Sequence, residues 1–386
     1  MSSGALKNSA IKRFGRGSAT LRALFASMVV GLGVTSAFCA SSFAAEETAQ
    51  PAPGNYATRA DVREFAQEAA KKTGLPQAEI QQWLDAAKYQ QSIVDAMNRP
   101  AESKTWAQYR PIFMTPKRIA TGVEFWNDHA DDLERISQKY NVSPAIIVAI
   151  VGVETFYGQR MGTYRIIDAL ATLGFDYPKR GAFFRDQLAD FFTLAAKEHL
   201  DLNDALGSYA GAMGMPQFIP SSYLDLAVDG DGDGRCDLWH SDADVFASVA
   251  HYFSEHGWTL GAPVGFPIDV NKQQEAAVAD KLNTGRDLKP KITIGELRSL
   301  GVALPKDLYL PKDEKVMLFT LTGPDKVEYW VGLDNFYVIT RYNHSTLYAM
   351  AVWQLSQAVQ AARDELAAAN SKEQTAAAPK KEVVTP

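Results

Sequence analysis

A long apolar segment that contains a single carboxylate constrains the fold of this chain more than any other feature. In SPAIIVAIVGVETFYG, Ser143 is positioned to cap a helix, Pro144 suits the first turn and Gly158 can end it. The residues between them are apolar on nearly every side of a helix, so this helix must lie inside the protein. Glu154 interrupts the apolar run. We therefore expect a helical core built around a buried acid.

Glu154 has the surroundings of a general acid. No Lys or Arg stands three or four residues away on either side, so the carboxylate has no cationic partner on its own helix. Burial without a cation penalises the charged form of a carboxyl group and raises its pKa. A raised pKa lets the group donate a proton near neutral pH. A structural glutamate that hydrogen-bonds a distant polar group would show the same pattern, and this alternative stays open here.

The rest of the chain alternates between helical segments and one β-prone region. Residues 207–222 (GSYAGAMGMPQFIPSS) contain too much Gly, Pro and Ser for a long helix and predict a structured loop. From 261 to 341, the β-prone pieces KVMLFTL, VEYWVGL and NFYVITR alternate with turn residues and predict a small antiparallel sheet. Apolar residues at helical spacing predict helices within 60–97, 130–174, 181–206 and 242–256.

The first 45 residues have the features of a secretory signal. Five basic residues and no acid precede an apolar run at 24–34. A stretch that ends in small residues at Ala45 follows the run. The run is shorter than the ~20 residues that span a bilayer, and a retained membrane anchor is the alternative. Cys39 is a candidate for lipidation, but Phe38 stands where a small residue is required. We expect a periplasmic protein, with an outer-membrane lipoprotein attached through Cys39 as the alternative.

The charge of the exported chain argues against nucleic acid as a partner. The whole sequence has 39 basic and 45 acidic residues, a net charge of −6. Without the five basic residues of the leader, 34 basic and 45 acidic residues remain, a net charge of −11. Nucleic acid favours the opposite sign. Cys236 would then be the only cysteine, so no disulfide can form within the chain. As a separate expectation, the chain is a monomer.

Together these patterns predict a mainly α (α+β) fold with a small antiparallel β insertion. The last 18 residues lack aromatic side chains and periodicity and predict a disordered tail. The predicted organisation is a signal peptide at 1–45, a linker at 46–56, a helical body at 57–260 with an acidic loop at 229–244, a β region at 261–341, a closing helix packed on the core at 342–368 and the tail at 369–386.

The loop at 207–222 has residue types that suit a sugar ligand. Gly211 and Gly214 would let the backbone approach a sugar closely. Gln217 offers both a donor and an acceptor for N-acetyl and hydroxyl groups, and Ser208 can hydrogen-bond a carboxylate or a sugar oxygen. A tight glycine-rich connection without a ligand is the alternative.

Five motifs follow one another along most of the chain. They are WAQYR (106–110), VGVETFYG (151–158), ALATLGFDYPKR (169–180), SYAGAMGMPQFIPSSY (208–223) and ITRYN (339–343). Together they resemble the lytic murein transglycosylase B family, which is related to goose-type lysozyme. The resemblance covers about residues 60–365 and implies a lysozyme-like helical core with an additional helical region.

The resemblance also implies roles for individual residues. Glu154 would be the catalytic acid and then the base. Lys179 and Arg180 match a basic pair expected to meet carboxylates of the peptide stem or the sugar, although a solvated surface pair is the alternative. Sugar rings present apolar faces to aromatic side chains. The residues implied to line the glycan groove are Tyr109, Ser208, Gln217, Tyr252, Tyr342 and Asn343.

The segment VDGDGDGRCDLW has the spacing of a cation-binding loop. Asp229, Asp231 and Asp233 occupy alternate positions and Gly234 follows, as in an EF-hand calcium loop. His240 stands where that motif requires a glutamate. A solvated acidic turn is the alternative.

Relatives in the family use a variant loop whose last acid comes a few residues later. By this resemblance Asp244, or alternatively Asp242, would complete the site, and Arg235 would contribute its backbone carbonyl. We expect a structural calcium ion and no cofactor for catalysis. The predicted ligands are Asp229, Asp231, Asp233, Arg235 and Asp244.

The combined expectation is a peptidoglycan lytic transglycosylase that acts on glycan strands. Neither active-site motif contains a second evident acid, and the family works with one. Glu154 would protonate the β-1,4 linkage between N-acetylmuramic acid and N-acetylglucosamine, and then accept a proton from the muramoyl C6 hydroxyl. The attack of that hydroxyl leaves a 1,6-anhydro end. Attack by water would make the chain a hydrolytic muramidase, and a non-catalytic peptidoglycan-binding protein is the third class considered.

Overall fold

The computed structural model describes residues 52–99, 104–285 and 287–377, with side chains to residue 372. The predicted signal peptide with Cys39 and most of the predicted linker lie outside the described residues, as does the end of the predicted tail. The described residues form fifteen α-helices and two small antiparallel sheets. The smaller sheet pairs β1 (Tyr164–Arg165) with β2 (Leu206–Gly207). The predicted fold class, mainly α with a small antiparallel insertion, is confirmed.

Eleven of these helices precede the β region. A short 3-10 turn (Tyr56–Thr58) leads into them. They are α1 (Ala60–Thr73), α2 (Gln77–Asp85), α3 (Gln91–Met97), α4 (Trp106–Phe113), α5 (Pro116–Asp128), α6 (Ala130–Tyr140), α7 (Pro144–Thr155), α8 (Ile166–Asp176), α9 (Gly181–Glu198), α10 (Pro220–Leu226) and α11 (Asp242–Glu255).

Helix α7 is the centre of the main hydrophobic core. Every residue from Ala145 to Val153 is buried, and α5, α6, α11 and the closing helix pack around it. Pro144 is its first residue and Ser143 is its N-cap, as predicted, although the serine side chain makes no capping bond. The helix ends at Thr155, three residues before Gly158, because Phe156 takes a left-handed φ of 53°.

The β region has one four-stranded antiparallel sheet in the order β3-β6-β5-β4. Its strands are β3 (Gly265–Ile268), β4 (Ile292–Thr293), β5 (Lys315–Thr322) and β6 (Val327–Gly332), and β5 and β6 are adjacent in sequence. Strand β5 is buried on both faces. Val316 and Leu318 pack in a small core with α12 (Glu275–Ala279) and α13 (Ile294–Ser299), whereas Met317, Phe319 and Leu321 join the main core. The sheet is thereby attached to the helical body.

Three secondary-structure predictions differ from the observed bounds. The helix predicted to reach 206 ends at Glu198, where His199 takes a left-handed φ of 55°. The segment NFYVITR is not a strand but most of α14 (Asp334–Tyr342), because Phe336 stacks on Phe319 inside the core. The closing helix, α15 (Thr346–Ala377), packs on α7 and α5 and extends into the segment predicted as a disordered tail.

No single helix in the described part of the chain is both long enough and apolar enough to cross a membrane. Helices α6 and α7 pass a test of length and composition only as a pair, and they are bent by 113° relative to each other.

Candidate active site

Glu154 lies in the last turn of α7, at the edge of the buried core. Its carboxyl group is partly buried, and Oε1 accepts a hydrogen bond of 2.6 Å from the hydroxyl of Tyr348, in the first turn of α15. Burial raises the pKa of Glu154 to about 7, and the bond from Tyr348 opposes this shift. The carboxyl group can therefore be protonated or ionised near neutral pH, which a group that serves as acid and base requires.

The chain turns sharply after Glu154, and one tyrosine holds this turn. Tyr157 has a left-handed φ of 59°, and its ring lies against Gly152, where an added Cβ would be 2.7 Å from the ring. Its hydroxyl donates to the Arg118 carbonyl at 3.0 Å. Thr155 fixes the other side of the turn, since its Oγ1 donates to the carbonyl of Met215 at 3.0 Å. The end of α7 is thus tied to both α5 and the loop at 207–222.

The loop at 207–222 is structured as predicted, and its own backbone conformation and packing require the glycines. Gly211 and Gly214 have positive φ values of 77° and 66°. A Cβ at Gly211 would contact the Leu170 side chain, and one at Gly214 would collide with the Leu238 carbonyl. The space that these glycines leave is therefore filled by the protein, so packing explains their lack of a side chain, and the close approach of a sugar to this backbone stays a prediction.

Ser208 and Gln217 shape the same loop. Ser208 Oγ accepts hydrogen bonds from the amides of Ala210 and Ala212, at 3.2 and 3.0 Å. Gln217 has a left-handed φ of 54°, and its Nε2 donates to the carbonyls of Met161 and Gly214 at 3.1 and 2.8 Å. Both side chains are partly exposed. Both amide hydrogens of Gln217 are used within the protein, so the group that it can offer to a ligand is its amide oxygen, an acceptor.

Tyrosines from α4, α11 and α14 surround the acid and the loop. Tyr342 donates to the Pro216 carbonyl at 2.5 Å, and its pKa is raised by burial and by the nearby charge of Glu154. Tyr109 is partly buried, and the same two causes raise its pKa to about 12. Tyr252 is 8% exposed, packs on Tyr342 at 4.8 Å between ring centroids and donates to the backbone of α14. Tyr252 therefore supports Tyr342 from behind.

The remaining predicted residues are exposed. Asn343 lies between α14 and α15, next to Tyr342 in sequence and five residues before Tyr348. Lys179 and Arg180 lie in the turn between α8 and α9, and the Arg180 guanidinium is 4.4 Å from the centroid of the Phe183 ring. Asn343 therefore lies on the connection between Tyr342 and Tyr348, whereas the basic pair lies on a different connection, between α8 and α9.

Two residues with direct roles in this geometry were missed in the sequence. Tyr348 is 194 positions from Glu154, and it stands just past the ITRYN motif with no local signal of its role. Thr155 follows Glu154 within a recognised motif, but its bond to Met215 spans 60 positions. A hydroxyl group next to the proposed acid was the one available clue for Thr155.

The acidic loop brings three carboxylates together. Oxygen atoms of Asp229, Asp231 and Asp244 lie within 4.8 Å of one another. Asp229 also accepts from the amides of Gly232 and Gly234, and these two bonds hold the loop in a tight turn. Carboxylate oxygens are hard ligands, so the three residues fit a hard cation such as calcium.

The structure distinguishes the two acids proposed to complete this loop. Asp244 is 1% exposed and accepts from the amides of Gly230 and Asp237, both at 2.7 Å. Asp242 instead lies 3.6 Å from His129. Asp233 is outside the group of three, and its Oδ1 accepts from the amide of Arg235 at 2.8 Å.

Comparison with known proteins places this geometry in a family. The model of the transglycosylase SLT domain matches residues 57–357. Membrane-bound lytic murein transglycosylase B of Escherichia coli (strain K12) is 41% identical over 320 residues, which cover 80% of this chain and 85% of the relative. The family match at 57–357 includes the whole of the described active site.

Solved structures agree with this assignment. The X-ray structure of catenated lytic transglycosylase SltB1 from Pseudomonas aeruginosa has a TM-score of 0.75 and 45% identity, and covers 80% of this chain and 100% of its own. Escherichia coli Slt35, in complex with calcium, has a TM-score of 0.71 and 40% identity over 82% of this chain and 98% of its own.

A more distant structure holds a peptidoglycan fragment. SltB3 from Pseudomonas aeruginosa, in complex with NAG-NAM-pentapeptide, has a TM-score of 0.65 and 28% identity over 78% of this chain and 79% of its own. The family match and the identity to the curated relative both extend over most of the chain. The chain therefore belongs to the lytic murein transglycosylase B family and is a lytic transglycosylase of peptidoglycan.

Proposed function

We propose that Glu154 is the single acid and base with which this enzyme cleaves the β-1,4 bond between N-acetylmuramic acid and N-acetylglucosamine. The observation that carries the proposal is a partly buried carboxyl group with a pKa of about 7 and one hydrogen-bond donor, Tyr348. Oε1 faces that donor, so Oε2 is the oxygen left to meet the substrate. Protonated Glu154 gives its proton to the glycosidic oxygen as the bond to C1 breaks.

The second step uses the same carboxyl group in its ionised form. The Tyr348 hydroxyl stabilises the carboxylate that the first step creates. Glu154 then accepts the proton of the muramoyl C6 hydroxyl while that oxygen forms a bond to C1. The carboxyl group is thereby restored and the muramoyl end becomes 1,6-anhydro, while the N-acetylglucosamine unit freed in the first step departs with the glycosidic oxygen as its C4 hydroxyl. The substrate's acetamido oxygen, or electrostatic stabilisation alone, carries the oxocarbenium charge between the two steps.

Within the described residues, no carboxylate hydrogen-bonds Glu154 or shifts its pKa, and this supports a single-acid mechanism. Hydrolases that use two carboxylates place them about 5–9.5 Å apart. The two influences on the pKa of Glu154 are burial and Tyr348, and neither is another acid. The groove proposed around this carboxyl group consists of Tyr109, Ser208, Gln217, Tyr252, Tyr342 and Asn343, with Lys179 and Arg180 proposed to meet carboxylates of the peptide stem.

A structural calcium ion and export complete the proposal. Asp229, Asp231 and Asp244 would hold the ion, and calcium in the crystal structure of Slt35 supports this assignment. The side chain of Asp233 and the carbonyl of Arg235 stay predicted ligands.

Export to the periplasm rests on the leader sequence, and attachment through Cys39 stays the alternative.

The identity of the attacking group is tested by digesting purified sacculi in water labelled with oxygen-18. We expect 1,6-anhydro-muropeptides without the label, because the C6 oxygen of the substrate forms the new bond. Labelled reducing ends would instead identify a hydrolytic muramidase. Binding to sacculi without release of soluble fragments would identify a non-catalytic protein.

A further inference from the structure

A buried arginine without polar partners lies beside the active site. Arg118, in the first turn of α5, is 6% exposed, and its Nε and Nη1 have no hydrogen-bond partner. Its guanidinium lies 5.0 Å from the centroid of the Phe113 ring and 4.9 Å from that of Phe156. The two rings stabilise the cation through their faces but neutralise none of its charge. Charged side chains are seldom buried without a partner, so this one requires an explanation.

Two more cations lie around the same phenylalanine. Lys117 Nζ is 5.9 Å and the Arg160 guanidinium is 5.3 Å from the centroid of the Phe156 ring, and both side chains are exposed. Burial lowers the pKa of Arg118, and the charge of Arg160 adds to this effect. No ion pair neutralises any of the three within the described part of the chain. Three like charges that converge without an acid form a site for an anion.

This basic cluster, Lys117, Arg118 and Arg160, adjoins the catalytic acid. Phe156 follows Glu154 by two residues, so their Cα atoms are at most about 7 Å apart. On the other side, the Phe113 ring is 5.1 Å from the ring of Tyr109, whose pKa the charge of Glu154 raises. Phe156 and Phe113 therefore connect the surroundings of Glu154 to the basic cluster.

We propose that the basic cluster binds a carboxylate of the peptide stem carried by the muramoyl residue. The stem is attached to the same sugar whose C1 reacts, and it is the carboxylate-bearing part of the substrate nearest to that atom. Its carboxylate would lie between the exposed charges of Lys117 and Arg160 and would neutralise Arg118 behind them. The inference rests on the proposed function and adds to it a preference for glycan strands that retain their peptides.

The test compares GlcNAc-MurNAc-pentapeptide with GlcNAc-MurNAc whose lactyl carboxyl group is capped as an amide, so that only the first ligand carries carboxylates. Titration calorimetry uses the full exported chain with Glu154→Gln, so that no ligand is cleaved. We expect the pentapeptide ligand to bind about tenfold more tightly, which is on the scale of two partly exposed charge pairs. Lys117→Gln with Arg160→Gln should reduce this difference several-fold, and the preference that remains is assigned to Lys179 and Arg180. Both positions are exposed, so the substitutions leave the core intact.

Lys139→Gln is the matched control. Lys139 is an exposed cation 5.0 Å from the ring of Tyr140, near the opposite end of α7, and the tenfold difference should survive its replacement. An undiminished preference in the double variant, or equal binding of the two ligands by the parent, would overturn the stem site and leave the proposed function intact. Failure to bind either disaccharide would count against the proposed function as well.

Discussion

Replacement of Glu154 by Gln should make the folded chain more stable at alkaline pH while it removes activity. Glutamine has nearly the same shape, and its Oε1 can still accept the Tyr348 hydroxyl. What the substitution removes is the cost of holding a charge in a site that excludes water. A catalytic group kept at an unfavourable pKa is expected to reduce stability in this way.

The magnitude follows from the pKa of Glu154, which burial raises from 4.5 to about 7. Between these two values the folded chain binds more protons than the unfolded chain, so stability falls as the pH rises through this window. The full shift corresponds to about 3 kcal/mol at 1.36 kcal/mol per pH unit. Because Glu154 is partly exposed, solvent reduces this figure, and we expect about 2 kcal/mol.

Urea denaturation of both proteins at about pH 4 and about pH 8 measures this cost. The variant should match the parent at the lower pH and exceed its free energy of unfolding by about 2 kcal/mol at the higher. Glu296→Gln is the control, because the Thr293 amide and hydroxyl lower the pKa of Glu296. That substitution should act with the opposite sign. A difference between parent and Glu154→Gln that does not change with pH would refute the buried-carboxyl reasoning.

Two further predictions concern Tyr348 and the acidic loop. Tyr348→Phe removes the donor that favours the ionised form of Glu154. The alkaline limb of the pH profile of kcat/KM should therefore move up by about one pH unit, on the scale of a hydrogen bond to a charged group. An alkaline limb that stays in place contradicts the role assigned to Tyr348. Calcium should raise the Tm of the parent, measured by scanning calorimetry against a chelator, and Asp244→Asn should abolish the rise. Asp242→Asn is its matched control and should retain the rise, since Asp242 lies next to His129 and outside the group of three. Equal loss in both variants would contradict the ligand assignment.

The helical framework was predictable because its signals are local. The burial of α7 follows from the run of apolar residues between Pro144 and Val153, and its start follows from the proline. The loop at 207–222 was predictable from Gly and Pro alone. The segment NFYVITR was not, because β-branched and aromatic residues favour a strand locally. In the folded chain Phe336, Val338 and Ile339 are buried on one side of a helix, and this packing outweighs their local preference.

The acid was predictable but the groups that control it were not. An unpaired glutamate in an apolar helix is visible in a sequence, as is its expected raised pKa. Tyr348, which opposes that shift, comes from the far end of the chain, and its contact depends on how α15 packs on α7. The same limit applies to the basic cluster, since Arg118 and Phe156 meet only after α5 and α7 have packed.

The most direct test of the central claim is the release of soluble muropeptides from purified sacculi by the parent and by Glu154→Gln. The account predicts 1,6-anhydro products from the parent and a loss of about 10²–10⁴-fold in the variant, the usual contribution of general acid–base catalysis. Glu198→Gln is the matched control, because Glu198 is also buried but hydrogen-bonds the Cys236 amide away from this site; it should retain cleavage. Release by Glu154→Gln at a rate near that of the parent would contradict the claim that this one carboxyl group performs the reaction.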